Sequence, residues 1–150
     1  MNSAKALFTV PALPAVAITA LLVTATPAAA ATTDGRFPTI YALGQGPCVG
    51  AVESSVNPNA YPNLAAFTVS STLVGVGACT LPVTLNWRNA DTGETGAFPV
   101  TAQGPGYWGN SGHSALFAPG FGHFTATVSV GGAHLPEPGA IEFTVAPYQG

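Results

Sequence analysis

The sequence of 150 residues predicts an all-β protein, a two-sheet sandwich of about seven or eight strands. After residue 31, glycine and proline recur about every eight to twelve residues, and runs of Val, Thr, Phe, Ile and Leu lie between them. The same region shows no sustained helical period. Turn residues at this spacing, with β-formers between them, are typical of sandwiches and barrels, and this many strands favours the sandwich.

Alternation of apolar and polar residues indicates which face of each predicted strand is buried. Four positions of one strand share a face, namely Phe67, Val69, Ser71 and Leu73. The cleanest alternation is in 81–88, and it recurs in 124–130 and 140–146. In chain order, the predicted strands are 39–43, 48–56, 64–76, 81–88, 95–102, 114–117, 124–130 and 140–146.

Residues 1–31 have the three parts of a cleavable secretory signal peptide. Lys5 supplies the positive charge, an apolar stretch follows over 6–24, and small residues surround a cut after Ala30 or Ala31. A membrane anchor is the alternative, but prolines at positions 11 and 14 interrupt the apolar stretch and no basic cluster follows it. We therefore predict a single β-sandwich domain, 32–150, that works outside the cytoplasm, secreted or associated with the cell envelope.

Few charges remain after this segment is removed. Two arginines stand against six acidic residues, a net charge of −4. No basic patch exists, so nucleic acid and anionic membrane surfaces are excluded as expected partners. An alanine-rich signal and a charge-poor, Ala/Gly/Pro-rich domain favour a bacterial source.

The two cysteines predict one structural disulfide. Cys48 and Cys79 form an even pair in a chain expected to enter an oxidising compartment. Closing a loop of about 32 residues stabilises a fold by roughly 3.5–4 kcal/mol in the chain-entropy model. Their spacing is unlike the Cys-x-x-Cys of redox motifs.

The second half of the chain resembles bacterial secreted immunoglobulin-like domains. Leu-Asn-Trp-Arg at 85–88, followed by Asp-Thr-Gly at 91–93, resembles their central hairpin. Residues 119–128 and 138–145, each beginning with Pro-Gly, resemble their penultimate and closing strands, and the likeness covers about 80–146. The resemblance implies an immunoglobulin-like sandwich but no activity. It departs from the antibody type because Trp87 follows the second cysteine.

Several residue groups point to hydrolase chemistry, and each has a simpler interpretation. Asp91-Thr92-Gly93 is the aspartic-protease triplet, but it occurs once and reads as a solvated turn. Residues 109–114 place serines beside His113 without the last glycine of a nucleophile elbow, which favours a loop. The acidic residues at 53, 94, 137 and 142 show no pairing that would make a glycosidase, so we treat them as solvated charges.

A metal centre would need the three histidines to converge. His113, His123 and His134 are ten and eleven residues apart on different predicted segments. Metal-binding sequences usually show closer pairs, so we predict no metal and no cofactor.

Two aromatic segments are the candidate binding residues. Tyr107 and Trp108 lie between glycines, and Tyr61 lies in an Asn/Pro-rich segment. Exposed rings of this kind stack on sugars or anchor protein partners. The alternative is that Trp108 folds back over the edge of the core.

These observations predict a secreted, non-enzymatic binding or structural domain. Its expected partner is a cell-wall glycan or an extracellular protein, bound through the aromatic loop. Two alternatives remain open: a structural protein that self-associates through uncharged sheet edges, and a small hydrolase or metal-binding protein that uses the histidines.

Overall fold

The computed structural model describes residues 35–150. This part of the chain contains ten strands and one 3₁₀ turn, Gly112–Ala115. The strands are β1 (Ile40–Leu43), β2 (Cys48–Tyr61), β3 (Leu64–Gly75), β4 (Cys79–Asn89), β5 (Thr95–Gly104), β6 (Gly106–Gly109), β7 (Leu116–Phe117), β8 (Gly122–Val130), β9 (His134–Leu135) and β10 (Ala140–Val145).

Two antiparallel sheets form a sandwich. The larger has six strands in the order β6-β3-β2-β1-β9, and β7 also pairs with β3. The smaller has four, in the order β10-β8-β4-β5. The predicted fold class, an all-β sandwich of two sheets, is confirmed, whereas its immunoglobulin-like character stays a prediction.

The core lies between the inner faces of the two sheets, where the predicted alternation places it. The four positions predicted to share a face of β3 are all buried, as are the apolar positions of β8 and β10. Phe124 stacks on Phe143 with ring centroids 5.1 Å apart, and Trp87 meets Phe124 edge-on at 5.7 Å. Burial of these large apolar side chains is the main stabilising contribution to such a fold.

The predicted disulfide is present and joins the two sheets. Cys48 begins β2 in the larger sheet, Cys79 begins β4 in the smaller, and their Cα atoms are 6.2 Å apart. Both residues are buried. The bridge therefore ties the sandwich together at one end.

The predicted count of seven or eight strands is too low for the described residues, which contain ten. The additional strands are β6 and β9, both short and both held by pairing with a distant strand rather than by a local pattern. The segment predicted as a strand at 114–117 divides into the end of the 3₁₀ turn and β7. β2 also extends to Tyr61 through an irregularity after Asn57, beyond the predicted end at residue 56.

The predicted signal peptide, residues 1–31, lies outside the described residues. Within residues 35–150, no helix is long and apolar enough to cross a membrane.

Candidate functional site

The outer face of the six-stranded sheet carries an unusual row of side chains. Directly opposite residues of antiparallel strands project to the same face of a sheet. One such row crosses five strands in register, through Tyr107 on β6, Thr72 on β3, Ala51 on β2, Tyr41 on β1 and Leu135 on β9. Both tyrosines and Leu135 are exposed, at 77%, 59% and 68%.

A second row lies beside the first, toward the end of the sheet that bears the disulfide. It consists of Val74 on β3, Val49 on β2 and Leu43 on β1, paired directly across the strands. All three side chains are more than half exposed. A single valine or leucine at a solvent-facing position is common, but two adjacent rows of mainly apolar side chains form a continuous apolar surface.

We call this surface the apolar half-face and define it by its five exposed apolar side chains: Tyr41, Leu43, Val49, Val74 and Leu135. All five line a shallow depression of about 650 Å³. They leave roughly 400–500 Å² exposed, which is within the roughly 300–600 Å² of the largest apolar patch on a typical monomer. Such a patch is often functional.

The other half of the same sheet face is polar. Its depression, of about 260 Å³, includes Glu53 among mainly hydroxyl-bearing neighbours. Those neighbours are Thr39, Ser54, Ser55, Thr68 and Ser70, together with Arg36 and Phe37. We call this the polar half-face. Glu53 is only two residues along β2 from Ala51, so the change from apolar to polar occurs within one step of the pleat.

The three predicted binding residues occupy different environments. Tyr107 projects from the same outer face, but its ring lies over Gly109, which is paired with Ser70 of the polar half-face. Trp108 is paired with Ser71, whose side chain is buried, and its ring packs against the core, which agrees with the alternative interpretation of this residue. Tyr61 is exposed at the end of β2 opposite Leu64, about eight residues, or ~26 Å, along β3 from the partner of Tyr107. The structure therefore does not bring Tyr61 and Tyr107 together.

Asn110 holds the strand of Tyr107 against the sheet. Its buried side chain accepts a hydrogen bond from the Val69 N–H at 2.7 Å and donates one to the Phe67 carbonyl at 2.9 Å. The amide thereby continues the pairing of β3 in the gap between β6 and β7. The segment 109–114, which was expected to be a loop, is thus anchored at its start and closed by hydrogen bonds between Ser111 and Ser114.

The Asp-Thr-Gly triplet lies in the exposed turn between β4 and β5, as its sequence indicated. Buried Asn89 organises this turn, because its carbonyl oxygen Oδ1 accepts the N–H groups of Asp91 and Thr92. The Asp91 carboxylate accepts the backbone N–H of His123 at 2.9 Å and lies 3.1 Å from Nδ1 of the same residue. The backbone hydrogen bond and then the ring contact hold the pKa of Asp91 below its ordinary value of 3.8.

His123 of this pair borders a third depression, of about 560 Å³, at the open edge between β2 and β10. Glu142, Thr125 and Thr144 also line it. The pair is exposed, with 70% of the His123 side chain and 51% of the Asp91 side chain accessible. In a catalytic triad, a carboxylate holds a histidine ring that is shielded from solvent and faces a nucleophile. Here the Asp91 carboxylate contacts a His123 ring that is exposed at the protein surface.

The three histidines lie in separate places. His123 is at the start of β8 and His134 follows its end, so they lie at opposite ends of that strand. His134 instead lies 3.7 Å from Glu137, and His113 is in the 3₁₀ turn. Among residues 35–150, no three His, Cys, Asp or Glu side chains come close enough to hold a metal ion.

Sequence reasoning missed the apolar half-face. The alternation rule assigned apolar residues to the inside, but positions 40–43 are apolar throughout, so alternation cannot identify their buried side. A run of apolar residues on both faces of a strand is itself a signal that both faces are covered. The runs at 40–43 and 73–76 carry that signal.

Comparison with known proteins finds no family model that matches this sequence, and no curated protein or solved structure with significant similarity to it. The function therefore has to be argued from the chain's own surfaces.

Proposed function

We propose that this protein is a non-enzymatic, extracytoplasmic binding domain, and that its binding surface is the apolar half-face. One observation carries the proposal: exposed apolar side chains in two adjacent rows, in register across β3, β2, β1 and β9, line a depression of about 650 Å³. The fold does not need this surface, because the sandwich core lies on the opposite side of the same sheet.

The chemistry of the half-face favours an apolar partner surface over a carbohydrate. A sugar site combines aromatic rings with amide or charged groups that hydrogen-bond the ring hydroxyls. The depression contributes few polar groups, chiefly Thr72, His134 and the Tyr41 hydroxyl, and its lining is mainly aliphatic. Of the predicted aromatic site, Tyr107 is exposed beside this surface, whereas Trp108 packs against the core.

An extracytoplasmic location is supported by two independent features. In most proteins, disulfides persist only in an oxidising compartment, and this protein has the Cys48–Cys79 disulfide. The sequence also begins with a segment predicted to be a signal peptide. Fractionation of the producing cells tests this: the protein is expected in the medium or envelope fraction, and recovery in the cytoplasm with free thiols would contradict it.

Binding of a neutral apolar dye tests the surface itself. We expect Nile red to bind the folded protein saturably at sub-micromolar protein concentration, and Val74→Lys to weaken this binding at least tenfold. Thr127→Lys is the matched control, because Thr127 is a β-branched, exposed residue on the outer face of the smaller sheet. Equal dye binding by the two variants would overturn the assignment of the surface.

A further inference from the structure

We propose that the apolar half-face is the interface of a two-fold symmetric homodimer, in which the sheet face of one copy stacks on the same face of a second copy. This inference rests on the proposed function, because it names the partner of the same surface. It differs from self-association through sheet edges, which the sequence suggested.

The exposed area reaches the lower limit for a specific dimer. A specific interface buries at least about 1,000 Å² in total, or about 500 Å² on each partner. The five side chains of the half-face are 52–68% exposed and leave roughly 400–500 Å² accessible, so an isologous contact of two half-faces reaches this limit once the neighbouring Thr72, Ala133 and His134 are included.

The half-face is electrically self-complementary. A two-fold axis brings each patch against its own copy, so any charge on the patch would meet a like charge. None of the five side chains is charged, and Glu53 on β2 belongs to the polar half-face. The acidic residue at the other border, Glu137, lies 3.7 Å from His134. This neutrality in a domain of net negative charge removes the main electrostatic obstacle to pairing with a second copy.

The composition is that of a sheet-packing face. Sandwich interiors form when two sheets stack through Val, Leu and aromatic side chains about 10 Å apart. The half-face supplies this residue set on β1, β2 and β3, with Leu135 on the flanking strand β9.

The sheet edges are poorer candidates. β6 and β9, the edge strands of the larger sheet, contain four and two residues. Edge strand β5 of the smaller sheet carries Pro99, which has no N–H to donate. The remaining edge strand, β10, has six residues and exposes Glu142. Short edges, edge prolines and edge charges are the usual devices that prevent strand-to-strand association.

Sedimentation velocity of the purified protein over low to high micromolar concentration tests the proposal. We expect wild type to shift from monomer to dimer, with a dissociation constant on the order of micromolar for an interface near the lower end of the standard size. Val74→Lys would place two uncompensated charges near each other and is expected to weaken the dimer at least ~100-fold. Thr127→Lys, with the same change in charge, is expected to dimerise like wild type.

A second, milder variant guards against misfolding. Leu43→Ser with Val49→Ser removes apolar area without adding charge, and it is expected to weaken the dimer while leaving the circular dichroism spectrum unchanged. In wild type, Nile red bound per protomer is expected to fall as the dimer forms, since dye and second copy compete for one surface.

Two results would overturn the proposal, and they separate it from the proposed function. A wild type that stays monomeric at all concentrations while binding Nile red through Val74 would remove the second copy as partner and keep the binding surface. A dimer that persists unchanged in Val74→Lys and in the double serine variant would place the interface elsewhere.

Discussion

The two sheets of this sandwich present different outer faces. The smaller sheet turns Thr125, Thr127, Glu142 and Arg88 toward solvent, and its strands β8 and β10 alternate between buried and exposed positions. Part of the larger sheet turns tyrosine, valine and leucine outward on strands that are equally well paired. Both sheets contribute their inner faces to one core, so the core does not account for the difference. The contrast indicates that one outer face is made to stay in water and that the other is made to be covered.

The contrast also exists within the larger sheet. Along β2, the outward positions change from Val49 and Ala51 to Glu53 and Ser55. The boundary is sharp because adjacent outward positions on a strand are only about 7 Å apart. A polar border of this kind around an apolar patch is typical of recognition surfaces.

Breaking the link between the two sheets is expected to have the largest effect. Replacing Cys48 and Cys79 together by Ser removes the covalent tie at one end of the sandwich, and the free energy of unfolding is expected to fall by about 3.5–4 kcal/mol. Urea unfolding of the variant and of reduced wild type measures this. The two should agree, and a loss below about 1 kcal/mol in both would show that the bridge contributes little.

Asn110→Ala is expected to cost roughly 3 kcal/mol. The substitution leaves the Val69 N–H and the Phe67 carbonyl without their amide partner, and Asn110 and its surroundings are buried. We would compare the thermal unfolding of Asn110→Ala with that of Asn57→Ala, which changes an exposed asparagine. The difference in melting temperature measures the contribution of the buried side chain. Equal melting temperatures for the two variants would refute the bridging role of Asn110.

Exchanging one residue between the two outer faces sharpens the comparison at small cost in stability. Val74→Thr and Thr127→Val are β-branched, nearly isosteric changes at exposed positions, so each should alter the free energy of unfolding by less than about 0.5 kcal/mol. Nile red affinity is expected to fall for Val74→Thr and to stay at the wild-type value for Thr127→Val. Higher dye affinity in Thr127→Val would mean that one added apolar side chain on either outer face is enough to increase dye binding.

The smallest expected effect concerns the turn at the end of the smaller sheet. Because the pKa of Asp91 is lower in the folded protein than its ordinary value of 3.8, its contribution to stability is present above that pH and is lost as the pH falls through the folded pKa. Asp91→Asn is therefore expected to be slightly less stable than wild type at pH 7. The stability difference should shrink in strongly acidic buffer. An equal difference at both pH values would contradict a stabilising role of the ionised Asp91 carboxylate.

Much of the smaller sheet could be predicted from sequence, since its strands obey a local rule. β4, β8 and β10 alternate between apolar and polar residues, and the inward set proves to be buried. The disulfide was predictable because the chain has two cysteines and both are expected in an oxidising compartment. These features depend on neighbouring residues or on composition.

The apolar runs at 40–43 and 73–76 signal that a second face is covered, but the extent of the apolar half-face could not be predicted, because it depends on register between distant segments. Tyr41 and Tyr107 are brought into one row by pairings that run through Ala51 and Thr72. β6 and β9 have only four and two residues, too few for a periodic signal, and they exist through their partners. Tyr107 was identified for its glycine-flanked position alone, and its binding role stays a prediction, as does that of Tyr61.

The most direct test of the central claim is to map apolar binding on the folded protein by NMR. We would titrate Nile red into isotope-labelled protein at low concentration and follow the backbone amide signals. We expect shifts confined to the strand segments that carry Tyr41, Val49, Val74 and Leu135, with the amides of β8 and β10 unchanged. Shifts centred on the smaller sheet or on the Tyr61 hairpin, with the half-face signals unmoved, would contradict the assignment of the apolar half-face as the binding surface.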